Sequence, residues 1–450
     1  MAALSDLVPC PAEWPRAAMA ALAAAVFAAL DVVDVLLCLV YGVLDGFLEE
    51  SPLGCYCHRS QGKAAAAAAG EEEDDGVSDT LYVRRSACRD ALLRLVAAVG
   101  GGTRRKEGAS PVKARSPRWS DCGCGKCRAW RASGAGGDRL RFVLQEPTPP
   151  SKGAEESARG DDAIFIHGFT SSSSFWAQTV FPEPAAASHR RLIAVDLLGF
   201  GDSPKPANCA YTLRDHVEAI ERSLLDPLHL SSFHLVSHSM GCTIAIALAA
   251  KHPARVKSIT LLAPPYFLPC EERASQVALR RLAEKKLWPP LLFGSAVMSW
   301  YEHIGRTICF VVCKNHRFWE WLIRIATRTS GVDIAVRDLT RHTHHSAWHT
   351  MHNVICGGAR AQDRNLEALA AAGVPVRAVH GDGDQVVPVE CSSRHLKSKL
   401  PHAEVRVVGG RDHRTVVFGR EEELAQELRA FWSGCEKAGC HSVQNYRMEV

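Results

Sequence analysis

Three residue types that together can cleave an ester occur in one order along this chain: Ser239, Asp384 and His413. Ser239 lies in "FHLVSHSMGCTIAIALAA", where an apolar run from Phe233 to Val236 stops at Ser237-His238-Ser239-Met240-Gly241 and an alanine-rich, helix-favouring stretch begins at once. A strand, an abrupt turn and a helix with serine at the apex form a nucleophile elbow, usually written G-x-S-x-G. Such a turn crowds the side chains two positions before and after the serine. Gly241 meets that demand fully, and Ser237, which replaces the first glycine, meets it nearly as well. The turn also opens a helix, so its first amides point toward developing negative charge.

A serine hydroxyl needs a base to take its proton, an acid to orient the base and N–H donors for the oxyanion. "GGRDHRTVV" offers His413 as the base, in a loop after the last strand-like run. "HGDGDQVVP" offers Asp384 as the acid, with Asp382 as the fallback. Ser, then Asp, then His is the α/β-hydrolase order and not that of chymotrypsin or subtilisin. The oxyanion donors expected are the backbone N–H groups of Met240 and of Phe169 in "HGFTSSSSFW". Taken singly, His413 could be a surface histidine, and Ser171 to Ser174 read as a flexible polar loop. The shared order, with each member just after an apolar run, is what makes the set specific.

Elements that could position these residues alternate along the chain from residue 161: strands at "DAIFI", "RLIAVD", "FHLV", "VKSITLL", "VPVRAVHG" and "AEVRVV", with helices at "LRDHVEAIERSLL" and "REEELAQELRAFW". "DRLRFVLQ" supplies an earlier strand. Apolar strands alternating with helices imply an α/β-hydrolase fold: a mostly parallel sheet with helices on both faces. The alternation breaks from 268 to 360, where Trp, His and Arg abound; this segment is expected to be a helical lid. The domains expected are an apolar segment at 1–50, a low-complexity and cysteine-containing linker at 51–126, core at 127–267, lid at 268–360, core at 361–434 and a tail at 435–450. Within the linker, 60–76 and 104–118 read as solvated chain, while 81–98 has helical spacing.

A hydrophobic share of 47% suffices for a large core, and a net charge of +4 from 53 basic and 49 acidic residues gives no reason to expect nucleic acid. Residues 17–48 are apolar enough to reach across a bilayer, but Asp31 and Asp34 near the middle would each cost about 2.5–3.5 kcal/mol there. The readings are therefore a spanning helix, a signal peptide with 17–30 as its apolar region, or a helix lying on a membrane or on the enzyme. Entry into the secretory pathway or membrane association is expected, and Cys38, Cys55 and Cys57 could carry a lipid.

Of the 17 cysteines, Cys122, Cys124 and Cys127 in "DCGCGKC" stand out. C-x-C-x2-C without a second ligand pair is an incomplete zinc signature, so a disulfide or a structural role is preferred. His345, His349 and His352 would share a helix face, but without an H-E-x-x-H carboxylate they read as packing or hydrogen bonding in the lid. Serine chemistry calls for no metal and no cofactor. Trp288, Trp300, Trp319, Trp321 and Trp348 suggest an apolar acyl tunnel or plain core packing.

"FIHGFTSSSSFW", "DLLGFGDSPKP", "HSMGC" and "HGDGDQVVP", with "RWSDCGCGKC" and "HTHHSAWHTMHNVICGG", resemble the plant BODYGUARD family of α/β-hydrolases. The resemblance implies an extracellular or cell-wall-associated lysophospholipase or lipid-ester hydrolase, needed for cuticle (cutin) formation, with Ser239, Asp384 and His413 as its triad. Three functions remain open: hydrolysis of a lipid acyl ester, acyl transfer that builds polyester through the same acyl-enzyme, and lipid binding without turnover.

Overall fold

A computed structural model describes residues 16–49, 76–82, 118–132, 139–147, 160–187, 189–265, 274–282, 290–328 and 333–447. Of the low-complexity stretch at 60–76, the helix expected over 81–98 and the linker at 104–118, all but residues 76, 81, 82 and 118 lie outside the described residues, as do Cys55, Cys57 and Trp288.

Seven strands form one sheet: β1 (Phe142–Gln145), β2 (Asp162–Ile166), β3 (Leu192–Val195), β4 (Phe233–His238), β5 (Val256–Leu262), β6 (Val376–Gly381) and β7 (Glu404–Val408). Their spatial order is β1-β3-β2-β4-β5-β6-β7, parallel throughout except that β1 pairs antiparallel with β3. All four residues of β3 are buried, which explains its unbroken apolar sequence: both faces of the strand are covered. Alternation decides which face each residue serves. Ile164 and Ile166 of β2 join Ile193, Leu235 and Ile259 in one core, whereas Ala163 and Phe165 join Leu192, Val236 and Trp432 in the other. Full burial of one such side chain stabilises by about 1.5–3 kcal/mol.

Eight helices matter below: α1 (Arg16–Leu48), α2 (Gly125–Ala132), α3 (Leu213–Ile220), α4 (Met240–Lys251), α5 (Glu302–Ile308), α6 (His316–Thr327), α7 (His344–Thr350) and α8 (Glu421–Arg447). Helices α3 and α4 contribute to the first core, and α8 closes the second with Leu424, Leu428 and Trp432. Thr212 caps α3 through a reciprocal box with Asp215. Helix α8 runs beyond residue 435 to Arg447, so the segment expected as a tail continues a helix.

Between β5 and β6 every described secondary-structure element is helical, the last being Gly358–Ala371. The inserted helices rest on loops that leave the carboxyl ends of β2 and β3. Asp338 accepts from Ser172 Oγ at 2.5 Å, Ser346 Oγ donates to Gly199 O at 2.9 Å, and Arg341 pairs with Asp202 at 3.1 Å. A Cβ on Gly199, which has φ +87°, would stand 2.7 Å from Ser346 Cβ, so only glycine lets the insertion sit this close.

Helix α1 packs along this insertion through Phe27, which clusters with Ala296, Val297 and Tyr301, and through its acidic residues. Tyr301 Oη donates to Asp31 at 2.7 Å, the His303 amide donates to Asp34 at 3.0 Å, and Arg306 grips Asp45 with two bonds of 2.6 and 2.7 Å. Phe27, Asp34, Cys38, Tyr41 and Asp45 are all buried and follow a helical period, forming one stripe toward α5. The opposite side carries Leu36, Val40, Val43 and Phe47, all exposed, Phe47 to 86%.

Candidate active site

Ser239 sits between β4 and α4 with φ 52° and ψ −127°, a backbone conformation that costs of order 1–3 kcal/mol for a residue with a Cβ. Packing enforces it. The Ser239 amide donates to Leu262 O at 2.9 Å, and the Cys242 amide returns to Ser239 O at 2.8 Å. A Cβ on Gly241 would lie 2.5 Å from His167 O and 2.8 Å from Ile166 O, so glycine is obligatory two residues after the serine. Two residues before it, Ser237 is fully buried, and its hydroxyl reaches Thr260 O at 3.4 Å on the neighbouring strand. The extra hydroxymethyl is accommodated in the sheet.

His413 arrives in the loop after β7. Its Nε2 stands 2.8 Å from Ser239 Oγ and its Nδ1 2.7 Å from Asp384 Oδ2. An ionised carboxylate only accepts, so Nδ1 carries the proton and Nε2 offers its lone pair to the serine hydroxyl. Asp384 is buried just beyond β6, and its other oxygen accepts the Val386 and Val387 amides at 2.9 and 2.8 Å. Burial opposes its ionisation, but hydrogen bonds from His380, His413 and the Val387 amide outweigh this and hold the carboxyl well below the usual carboxylate range. Asp382 instead accepts the Gly410 amide at 2.7 Å, near the surface. The loop bearing His413 comes so near β6 that a Cβ on Gly381 would lie 2.2 Å from Arg411 O. Ser239, Asp384 and His413 are thus brought together, and Asp382 bonds elsewhere.

Three further histidines, His238, His380 and His167, support this constellation. His238 Nε2 donates to His413 O at 2.8 Å while its ring stacks on Phe175 at 5.1 Å. Burial, and the neighbouring His413, push its pKa down to about 3, so the ring is neutral. His380 hydrogen-bonds Val387 O at 2.8 Å and lies 3.2 Å from Asp384 Oδ2. His167 is buried and kept neutral by burial. The Leu197 amide donates to its Nε2 at 2.9 Å, so its proton is on Nδ1, which donates to Gly168 O at 2.7 Å. This fixes the peptide between Gly168 and Phe169, and because that peptide is planar and trans the Phe169 N–H points away from the His167 ring. Gly168 abuts the serine: a Cβ there would be 3.1 Å from Ser239 Cβ. Met240 is the first residue of α4, where an amide has no carbonyl one turn back to bond. The signal for His167 and His238 was present in "HGF" and "HSMG", each histidine beside a glycine or serine already singled out.

The lid histidines are engaged with protein atoms. His345 reaches Cys209 O at 2.9 Å, His349 reaches Ala210 O at 3.1 Å, and His352 reaches Thr80 Oγ1 at 3.1 Å. Among the described residues, Trp300, Trp321 and Trp348 do not line one tunnel. Trp300 packs among Ala278 and Phe27, buried Trp348 packs on Leu81, and Trp321 is exposed on α6. Of the disulfide or structural role expected, no disulfide forms among the described cysteines, and Cys122, Cys124 and Cys127 gather around His316.

Comparison with known proteins bears on the fold and the family. Residues 164–285 match the model of the alpha/beta hydrolase fold. The chain is 46% identical over 427 residues to the Arabidopsis thaliana protein named probable lysophospholipase BODYGUARD 4, covering 94% of this chain and 99% of that one. It is 43% identical over 430 residues to the protein named probable lysophospholipase BODYGUARD 5 of the same plant, covering 92% and 95%. Against BODYGUARD 1, also named a probable lysophospholipase, identity is 39% over 466 residues, covering 93% and 97%.

Proposed function

The chain belongs to the BODYGUARD family of α/β hydrolases, and from that premise we propose that it is a serine hydrolase cleaving a lipid acyl ester of the lysophospholipase or carboxylesterase type. One observation carries the reading: the unbroken hydrogen-bonded line from Ser239 Oγ through His413 to buried Asp384.

Ser239 Oγ attacks the ester carbonyl carbon as His413 Nε2 takes the hydroxyl proton. The resulting imidazolium is stabilised by Asp384, which stays ionised. The Phe169 and Met240 amides receive the oxyanion, each donor contributing about 10²–10³ in rate. Collapse of the tetrahedral species breaks the bond to the leaving alkoxide, which takes the proton from His413. Water, deprotonated by the same nitrogen, then releases the fatty acid from the acyl-enzyme and restores Ser239.

The substrate class follows from the family name borne by the relatives and from the surface beside the lid. Helix α1 is long and apolar enough to cross a membrane, but its acidic face is engaged by α5. The helix therefore lies on the enzyme, with its stripe from Leu36 to Phe47 available to lipid. Helix α6 adds exposed Phe318, Trp321, Leu322 and Ile325. We place this surface in the lipid interface, which brings insoluble acyl esters, cutin-type hydroxyacyl esters included, to the lid. Lipid flotation should weaken in a Val40→Asp, Phe47→Asp variant, and unchanged flotation would remove the interface from the account.

The direct test of function incubates the purified full chain with lysophospholipids, monoacylglycerols and hydroxyacyl esters. Release of free fatty acid is expected from the wild type and not from Ser239→Ala. Equal release by both would overturn the proposal.

A further inference from the structure

We propose that Cys122, Cys124, Cys127 and His316 bind a zinc ion, at a site separate from the hydrolytic one. The four ligand atoms lie within 4.8 Å of one another. Cys124 Sγ and Cys127 Sγ stand 3.6 and 3.7 Å from the same nitrogen, His316 Nε2. Tetrahedral zinc, with bonds of about 2.3 Å to sulfur and 2.0–2.1 Å to nitrogen, places sulfur and nitrogen about 3.6 Å apart.

Thiol hydrogen bonds alone account poorly for this convergence. His316 Nδ1 faces the Glu320 carboxylate at 3.2 Å, so Nδ1 carries the proton and Nε2 keeps a single lone pair. One lone pair serves two S–H donors badly, whereas one metal ion on it can bond both sulfurs. The Glu320 contact is also the outer carboxylate that metal-bound imidazoles commonly have, fixing tautomer and ring orientation.

Three soft thiolates and one imidazole are a closed Cys3His set, the composition of structural zinc sites. Binding displaces three thiol protons and oxidises nothing, leaving a centre of net charge −1. Lys205, whose amine donates to Gly201 O and Ser203 O at 2.8 Å, lines the same cavity as Cys122 and Cys127.

The fold gives the site a task. Helix α6 buries none of its residues, so apolar packing does not fix it. His316, its first residue, meets Cys127 of α2 across 189 positions of sequence. The segment that carries the cysteines also bonds the other parts: Trp119 Nε1 donates to Asp45 of α1 at 2.7 Å, and Lys314 Nζ donates to Trp119 O at 2.9 Å. A zinc ion here fastens the amino-terminal part of the chain to the lid.

Beside it, Cys309 and Cys313 lie 3.6 and 3.7 Å from His342 Nε2, on a π-helical turn after α5. This neighbouring set has three donors, one short of a closed shell, and the assignment does not include it.

Metal content of the full chain, purified in detergent without chelator from zinc-supplemented cells, tests the proposal. About one equivalent of zinc is expected in the wild type and in Ser239→Ala, and one equivalent less in Cys124→Ser and His316→Ala. A total of two, still falling by one in those variants, keeps the assignment and adds the neighbouring set. Should the variants fail to fold, cobalt exchange into the wild type should give the intense visible bands and thiolate charge transfer of a tetrahedral sulfur-rich site. Folded wild type lacking zinc, zinc content unmoved by the variants, octahedral cobalt spectra, or a disulfide mapped between two of Cys122, Cys124 and Cys127 would each overturn it.

Discussion

The sheet and the layer formed by α1, α2 and the lid handle buried polar groups differently. At the sheet, Ser239, Asp384 and His413 stand at or in the turns that leave β4, β6 and β7, and the parallel order of these strands carries them to one rim. In the outer layer, Asp31, Asp34 and Asp45 meet partners about 260–270 positions away, and three cysteines meet a histidine about 190 positions away. The first arrangement makes polar residues into chemistry. The second makes them into fasteners, holding an apolar helix against the enzyme rather than letting it leave for a bilayer.

The largest effect expected on the chemistry side comes from Asp384→Asn. It preserves shape, but removes the carboxylate that fixes the His413 tautomer, and kcat should fall about 10⁴-fold with little change in melting temperature. Asp382→Asn, which touches only the Gly410 amide, should keep activity within a few-fold; the reverse ranking would move the acid to Asp382. On the fastener side, Arg306→Met leaves Asp45 buried without its guanidinium and should cost about 3–5 kcal/mol. Protection of α1 from proteolysis measures this, and an unaltered digestion rate would mean that the ion pair does not hold the helix.

His238 lies between the two roles, since it both packs and positions. His238→Phe keeps the stack on Phe175 and removes the bond to His413 O, so kcat should drop about tenfold at unchanged KM. Its pKa is about 3 when folded against an ordinary value near 6.5. The unfolded chain therefore binds more protons between these values, and the contribution of His238 to stability is complete above pH 6.5 and lost as pH falls toward 3. Denaturation across that window should be less steep in pH for His238→Phe, and an identical slope would show that the ring is not held neutral. The smallest effect is expected for Ser237→Gly, which restores the usual elbow sequence. Losing the contact to Thr260 O should change stability by no more than about 1 kcal/mol and leave kcat within two- to threefold.

What could be read from sequence follows the same division. Strands β2 to β7 and the elbow announce themselves locally, by apolar runs bounded by Gly, Pro and Asp, so fold class and the three converging side chains were legible. Asp34 was not, because an acid in an apolar helix looks costly until the His303 amide is beside it. "DCGCGKC" looked incomplete for the same reason, since nothing local points to His316. His380 stayed hidden because its work is to fix a carboxylate, and a single histidine on a strand carries no pattern for that.

Reaction of the folded full chain with a fluorophosphonate, followed by intact mass and peptide mapping, tests the hydrolytic account most directly. A single adduct on Ser239, absent in Ser239→Ala and formed far more slowly in His413→Ala, is the result expected. A folded wild type that forms no adduct, or forms it on another residue, would contradict the account.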